Sequence, residues 1–192
     1  MDQVPPAMRA LVRGVAGALQ TLTLTLALPA GPVAHDVAFD ERALPLGGDP
    51  MRFFFAPHGR PPAAAFSVYV TDLVLALDLS TAELLTGYVL LEALVRTGAV
   101  AVYTYTVRPL FLAAVGLAMK LCTETEESVA EWVAPLADAG YTGVEARRLG
   151  RMERLSLQAL KYQFPANMGQ YLLYAEHLVR HGGSYVVPPI TA

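Results

Sequence analysis

The sequence predicts an all-α fold, a helical bundle around one central buried helix with an additional N-terminal helix. Three observations predict it. Ser80, followed three residues later by Glu83, forms a capping box ahead of a long apolar run. The stretch from Pro109 to Leu121 is apolar on every side apart from Lys120, the pattern of a helix surrounded by others. Apolar residues recur at helical spacing in "VEARRLGRMERLSLQALKY" and "NMGQYLLYAEHLVRHGG", whereas no two segments make a convincing sheet.

Met8, Leu11, Val12, Val15, Leu19 and Leu22 open the chain with helical spacing. The following "TLTLTL" alternates with period two, so propensity argues for strand while the flanking pattern argues for helix. With no strand of similar quality nearby to pair with it, helix is expected. Residues 28 to 62 are dense in Pro and Gly and read as a long irregular connection over the domain surface, pinned by Phe53, Phe54 and Phe55. "FSVYVTDLVLALDL" is β-branched enough for two buried strands, yet Tyr69, Leu73, Ala76 and Leu77 recur as on a helix.

After the capping box, Leu84, Leu85, Tyr88, Leu91 and Val95 line one side of a helix that Gly98 ends. In "TVRPLFLAAVGLAMKLC", Thr106 is the expected cap, and Pro109 falls in the first turn, where its missing N–H costs little. "TEESVAEWVAPLADAG" reads as a shorter helix with acidic residues at its favourable end. A turn bracketed by Gly140 and Gly143 leads to the two last helices, and "SYVVPPITA" is a terminal strap.

The 192 residues are 54% hydrophobic and 16% charged, enough for one sizeable core under a thin polar surface that a partner can cover. A net charge of -3 gives no electrostatic case for nucleic acid. The lone Cys122 excludes an intrachain disulfide and fits a reducing compartment. Residues 14 to 31 are uncharged and follow Arg9 and Arg13, superficially like a signal peptide or membrane span. Gln20, Thr21, Thr23 and Thr25 lower their hydropathy, so a helix packed on the domain's own apolar surface is expected.

Two charges break the apolar faces. On a helical wheel Glu153 falls about 40 degrees from Leu149, on the arc of Met152, Ser156, Ala159 and Leu160, while Arg151, Arg154, Gln158 and Lys161 take the opposite arc. Lys120 is the complementary case near the end of the central helix. Burying either charge alone costs several kcal/mol, so a cross-helix pair is the economical arrangement. From the residues alone, that pair is either an internal salt bridge or an edge that presents charge to a partner's backbone.

"GYVLLEALVR", "TVRPLFLAAVGLAMKL", "ESVAEWVA" and "EARRLGRMERLSLQALKYQFPAN" resemble consecutive helices of the cyclin box, over roughly Phe66 to Asn167. The N-terminal "ALVRGVAGALQTL" and the proline-rich lead into "FSVYVTD" are most similar to the single-box P-type cyclins of phosphate signalling in fungi and protozoa. The resemblance implies a cyclin-like bundle, with a packed N-terminal region over residues 1–62, the box over 63–167 and a C-terminal helix and tail over 168–192. It implies a non-enzyme without cofactor, cytoplasmic or nuclear. This regulatory subunit would bind a cyclin-dependent serine/threonine kinase and activate it by positioning the kinase's C-helix.

Lys120 and Glu153 would hold main-chain groups at the start of that C-helix, with Leu117, Leu121, Leu149, Met152, Leu157 and Phe53 as apolar neighbours. The chain departs from the family in three places. Glu124 only loosely matches the acidic residue after the central-helix lysine, "FSVYVTDLV" replaces the substrate-docking patch of cell-cycle cyclins, and the arginine of the first box helix is missing. Asp72 reads as an intramolecular anchor. The alternative is a cyclin-like helical scaffold without a kinase, because a fold does not fix a function.

Other motifs are weaker. His177 and His181, four apart, could offer one face of a metal site but lack a third ligand. Cys122 has no believable histidine partner. "GGDP" and "GVAG" lack the strand and lysine of a phosphate loop. Trp132, with Val129, Val133 and Leu136, is a core anchor. The helices offer no converging acid, base and nucleophile, so neither a small-molecule substrate nor a membrane partner is expected.

Overall fold

The computed structural model describes residues 4–25, 37–47, 63–98, 102–123, 128–164 and 168–181. These form α1 (Pro6–Thr25), a 3-10 turn (Val37–Phe39), α2 (Ala63–Ala76), α3 (Thr81–Arg96), α4 (Val107–Cys122), α5 (Val133–Asp138), α6 (Ala146–Ala159) and α7 (Met168–His181). The fold is an all-α bundle, and among the described residues there is no strand. "FSVYVTDLVLA" is helical, so the β-branched content yields to the burial of Phe66, Tyr69, Val70 and Leu73 on one side.

The central position of α4 follows from its composition. Every residue from Val107 to Met119 is buried, with α3 and α6 against it and α2 reaching it through the edge-on rings of Tyr69 and Phe111. The capping box forms as expected. The Ser80 hydroxyl accepts from the Glu83 amide at 3.2 Å, and the Glu83 carboxylate accepts from the Ser80 amide at 2.7 Å.

Helix α1 packs on α2, α3 and α7, burying Leu11, Val12, Val15, Leu19 and Leu22. The "TLTLTL" stretch is helical through Thr25, and the Thr21 and Thr23 hydroxyls donate to the carbonyls of Gly17 and Gln20. Gly14 lets α7 approach closely, since a Cβ there would stand 2.3 Å from the Leu178 carbonyl oxygen. A buried network also ties α7 to α3. Glu92 accepts from Tyr88 at 2.5 Å and from Tyr174 at 2.7 Å. Among the described residues no helix is long and apolar enough to cross a membrane.

Three local expectations need correction. Thr106 precedes α4 but makes no side-chain cap; its hydroxyl accepts from the Tyr103 amide at 2.7 Å and closes the preceding turn instead. The short helix begins only at Val133 and has no acid in its first turn, with the buried Trp132 at its N-cap. Helix α6 stops at Ala159, short of Tyr162: Lys161 and Tyr162 adopt left-handed φ values of 52° and 57°, and the Tyr162 amide donates back to the Leu157 carbonyl.

Candidate functional site

The central helix and α6 cross so that Lys120, in the last turn of α4, meets Glu153 of α6. Nζ lies 2.6 Å from Oε1. Lys120 reaches this place because α4 is walled in as far as Met119 and emerges into solvent only with its final residues. Glu153 reaches it because it shares an arc with Leu149 and Met152, both buried against the bundle. The pair is not enclosed: the two side chains keep 34% and 21% of their exposure.

Trp132 completes the setting on one side. Its ring lies against Gly116, where a Cβ would stand 2.6 Å from Cζ3, and it is 5% exposed. Lys120 Nζ sits 5.8 Å from the ring centroid, within reach of a cation–π attraction. The core anchor expected at Trp132 therefore also touches the charged pair.

The apolar candidates separate into two groups. Leu117, Leu149 and Met152 lie in the chain's own core, so their side chains are already spent on the bundle. Leu121, next to Lys120 in sequence, is 47% exposed, and Leu157, one turn after Glu153, is half-buried against the core. Phe53 and Glu124 lie outside the described residues, as do Phe54 and Phe55. Cys122 is exposed, with Sγ 3.5 Å from the Thr86 hydroxyl.

A second polar cluster lies deeper and is absent from the sequence reading. Arg108 of α4 is fully buried and gives Nη2 and Nε to Glu41 Oε2 at 2.8 and 3.0 Å, with Nη1 on the Gly47 carbonyl at 3.3 Å. Arg148 of α6 reaches the same segment, donating to the Ala38 carbonyl at 2.9 Å. Two arginines from neighbouring helices thus clamp residues 38–47 onto the bundle. Burial raises the Glu41 carboxyl above its ordinary range, against the pull of Arg108, and burial lowers the Arg148 guanidinium. The signal that could have revealed the cluster is the one applied to Lys120: a lone charge in an apolar helix needs a partner.

Asp72 is an intramolecular anchor. Its Oδ2 accepts from the Tyr141 hydroxyl at 2.9 Å, which ties α2 to the turn before α6. Burial raises the Asp72 carboxyl, partly offset by that hydrogen bond, and burial together with Asp72 raises the Tyr141 phenol. His177 is half-buried on α7, and the His181 side chain lies outside the described residues. Among the described residues no group of three or more His, Cys, Asp or Glu is placed to share a metal ion.

No family model, curated protein or solved structure matches this chain. The attributions to cyclins, to cyclin-dependent kinase binding, to the cell cycle and to phosphate signalling are corrected accordingly: the comparisons tie the chain to none of them.

Proposed function

We propose that this chain is a non-catalytic regulatory subunit that binds a partner protein along the edge where α4 meets α6. One observation carries it: the Lys120–Glu153 pair is short, yet its two side chains keep 34% and 21% of their exposure. An ion pair so exposed contributes only about 0–1 kcal/mol to stability, so folding alone gives little reason for two charges beside a core. After their mutual bond, Lys120 keeps donors and Glu153 keeps its second oxygen. Such a pair can hold a carbonyl and an amide at once, the groups left unsatisfied at a helix terminus of a partner. Leu121 and Leu157 supply apolar contact beside it.

The first partner class to assay is a serine/threonine protein kinase, whose activity changes when one of its helices is held in place. The tagged chain is used to capture kinase from native lysate, and bound kinase activity is measured. Capture is expected from the parent chain and not from Glu153→Ala at unchanged melting temperature. The charge-swapped Lys120→Glu/Glu153→Lys variant should keep its stability and still fail to capture. Capture by Glu153→Ala, or full recovery in the swapped variant, overturns the role of the pair. A folded chain that captures no kinase at any salt concentration favours a helical scaffold.

A further inference from the structure

We propose that α6 pairs with the α6 of a second copy of this chain, the two helices crossing antiparallel with a twofold axis over Gly150. Gly150 stands inside α6, where glycine weakens a helix relative to alanine. A Cβ at Gly14, Gly87 or Gly116 would come within 2.3, 2.9 or 2.6 Å of a neighbour, so packing inside the chain explains those glycines. At Gly150 a Cβ would meet nothing within 4 Å. The close approach that a missing side chain permits is there open to a backbone from outside.

The charges around Gly150 select the occupant. Arg147 lies about 60 degrees to one side of Gly150 and about 4.5 Å toward the helix N-terminus. Glu153 lies about 60 degrees to the other side and about 4.5 Å toward the C-terminus. A twofold axis over Gly150 exchanges these two places. It sets Arg147 of each copy opposite Glu153 of the other, an isologous arrangement in which one contact is made twice.

The side chains are placed to make that contact. Arg147 is exposed. Glu153 accepts from Lys120 at Oε1 and keeps Oε2, with 21% of its exposure, for a charge-assisted bond from the second copy's arginine. Arg154, also exposed, falls by the same symmetry opposite Ala146, whose side chain ends at Cβ. Arg151 lies about 100 degrees round the helix from Gly150 and is engaged within the chain, so the pairing does not call on it. A wholly acidic partner would meet Glu153 and a wholly basic one would meet Arg147, whereas the chain itself carries both signs in the matching register. The dimer covers Glu153 and so excludes a partner from the α4–α6 edge, but it rests on Gly150 and Arg147 and stands without that partner.

Sedimentation velocity of the full chain from about 1 to about 300 μM tests the pairing, with a monomer–dimer Kd of about 10–100 μM expected from a single helix face. Gly150→Leu should raise that Kd at least about tenfold. It should not lower the melting temperature, because in the monomer the new side chain meets open space. Arg147→Glu should weaken the dimer to a similar extent, and Lys120→Glu/Glu153→Lys/Arg147→Glu should restore it to within about threefold. A chain still monomeric at about 300 μM overturns the proposal, as does a dimer that Gly150→Leu or Arg147→Glu leaves unchanged. Failure of the triple variant to recover the dimer overturns it as well. No partner is present in this measurement, so its outcome is independent of kinase capture.

Discussion

Arg108 and Glu41 meet at 2.8 Å in the interior of the bundle, 67 residues apart in sequence. Breaking such a pair from one side leaves a buried charge without compensation. Glu41→Gln should therefore destabilise the chain by about 3–5 kcal/mol, and Arg108→Met/Glu41→Leu should recover most of the loss. Urea denaturation of the three proteins measures both effects. A double variant as unstable as the single one would show that the pair holds geometry that apolar packing cannot replace.

Lys120 and Glu153 should behave differently because water reaches them. Alanine at either position is expected to cost no more than about 1 kcal/mol, measured by the same denaturation. A loss of several kcal/mol would assign the pair to the core and remove the reason for proposing an interface there.

Gly116 gives the tryptophan its seat. Gly116→Ala would put a Cβ 2.6 Å from the Trp132 ring, forcing the ring outward at an expected cost of about 1–3 kcal/mol. Trp132 is the chain's only tryptophan, so its emission should shift to the red in the folded variant. Unchanged emission and stability would mean that the ring relaxes without leaving its pocket.

Asp72 sets a pH dependence. Burial holds its carboxyl above the ordinary carboxylate range despite the Tyr141 hydrogen bond, so the folded state binds the proton more tightly than the unfolded one. Its contribution is therefore fully present below the unfolded value and is lost as pH rises through the folded value. Asp72→Asn keeps an acceptor for Tyr141 and should flatten that decline. Urea midpoints from about pH 4 to about pH 7 report it, and identical profiles for the two proteins would refute the assignment.

Features encoded within one helix were legible in the sequence. The Ser80 capping box announces itself in four residues, and the position of Glu153 on the wheel is enough to demand a partner for it. Lys120 was legible as that partner because an apolar helix leaves a single charge conspicuous. Arg108 carries the same message, but its carboxylate lies in a segment dense in proline and glycine, where no periodicity points inward. Arg148 sits among exposed arginines, and only the crossing of α6 over residues 38–47 distinguishes it from them. Trp132 shows the opposite failure: its burial was readable, while its placement over Gly116 and beside Lys120 depends on how α5 is delivered. The end of α6 was not readable because lysine and tyrosine rarely adopt the left-handed conformation that stops it.

The clamp on residues 38–47 also bears on the order in which the molecule is made. Glu41 waits for Arg108, and Ala38 waits for Arg148, 110 residues later. On the ribosome this early stretch gains its first arginine partner only when the start of the central helix has been made. It closes only when α6 has emerged, so these contacts of large sequence separation slow folding and come late.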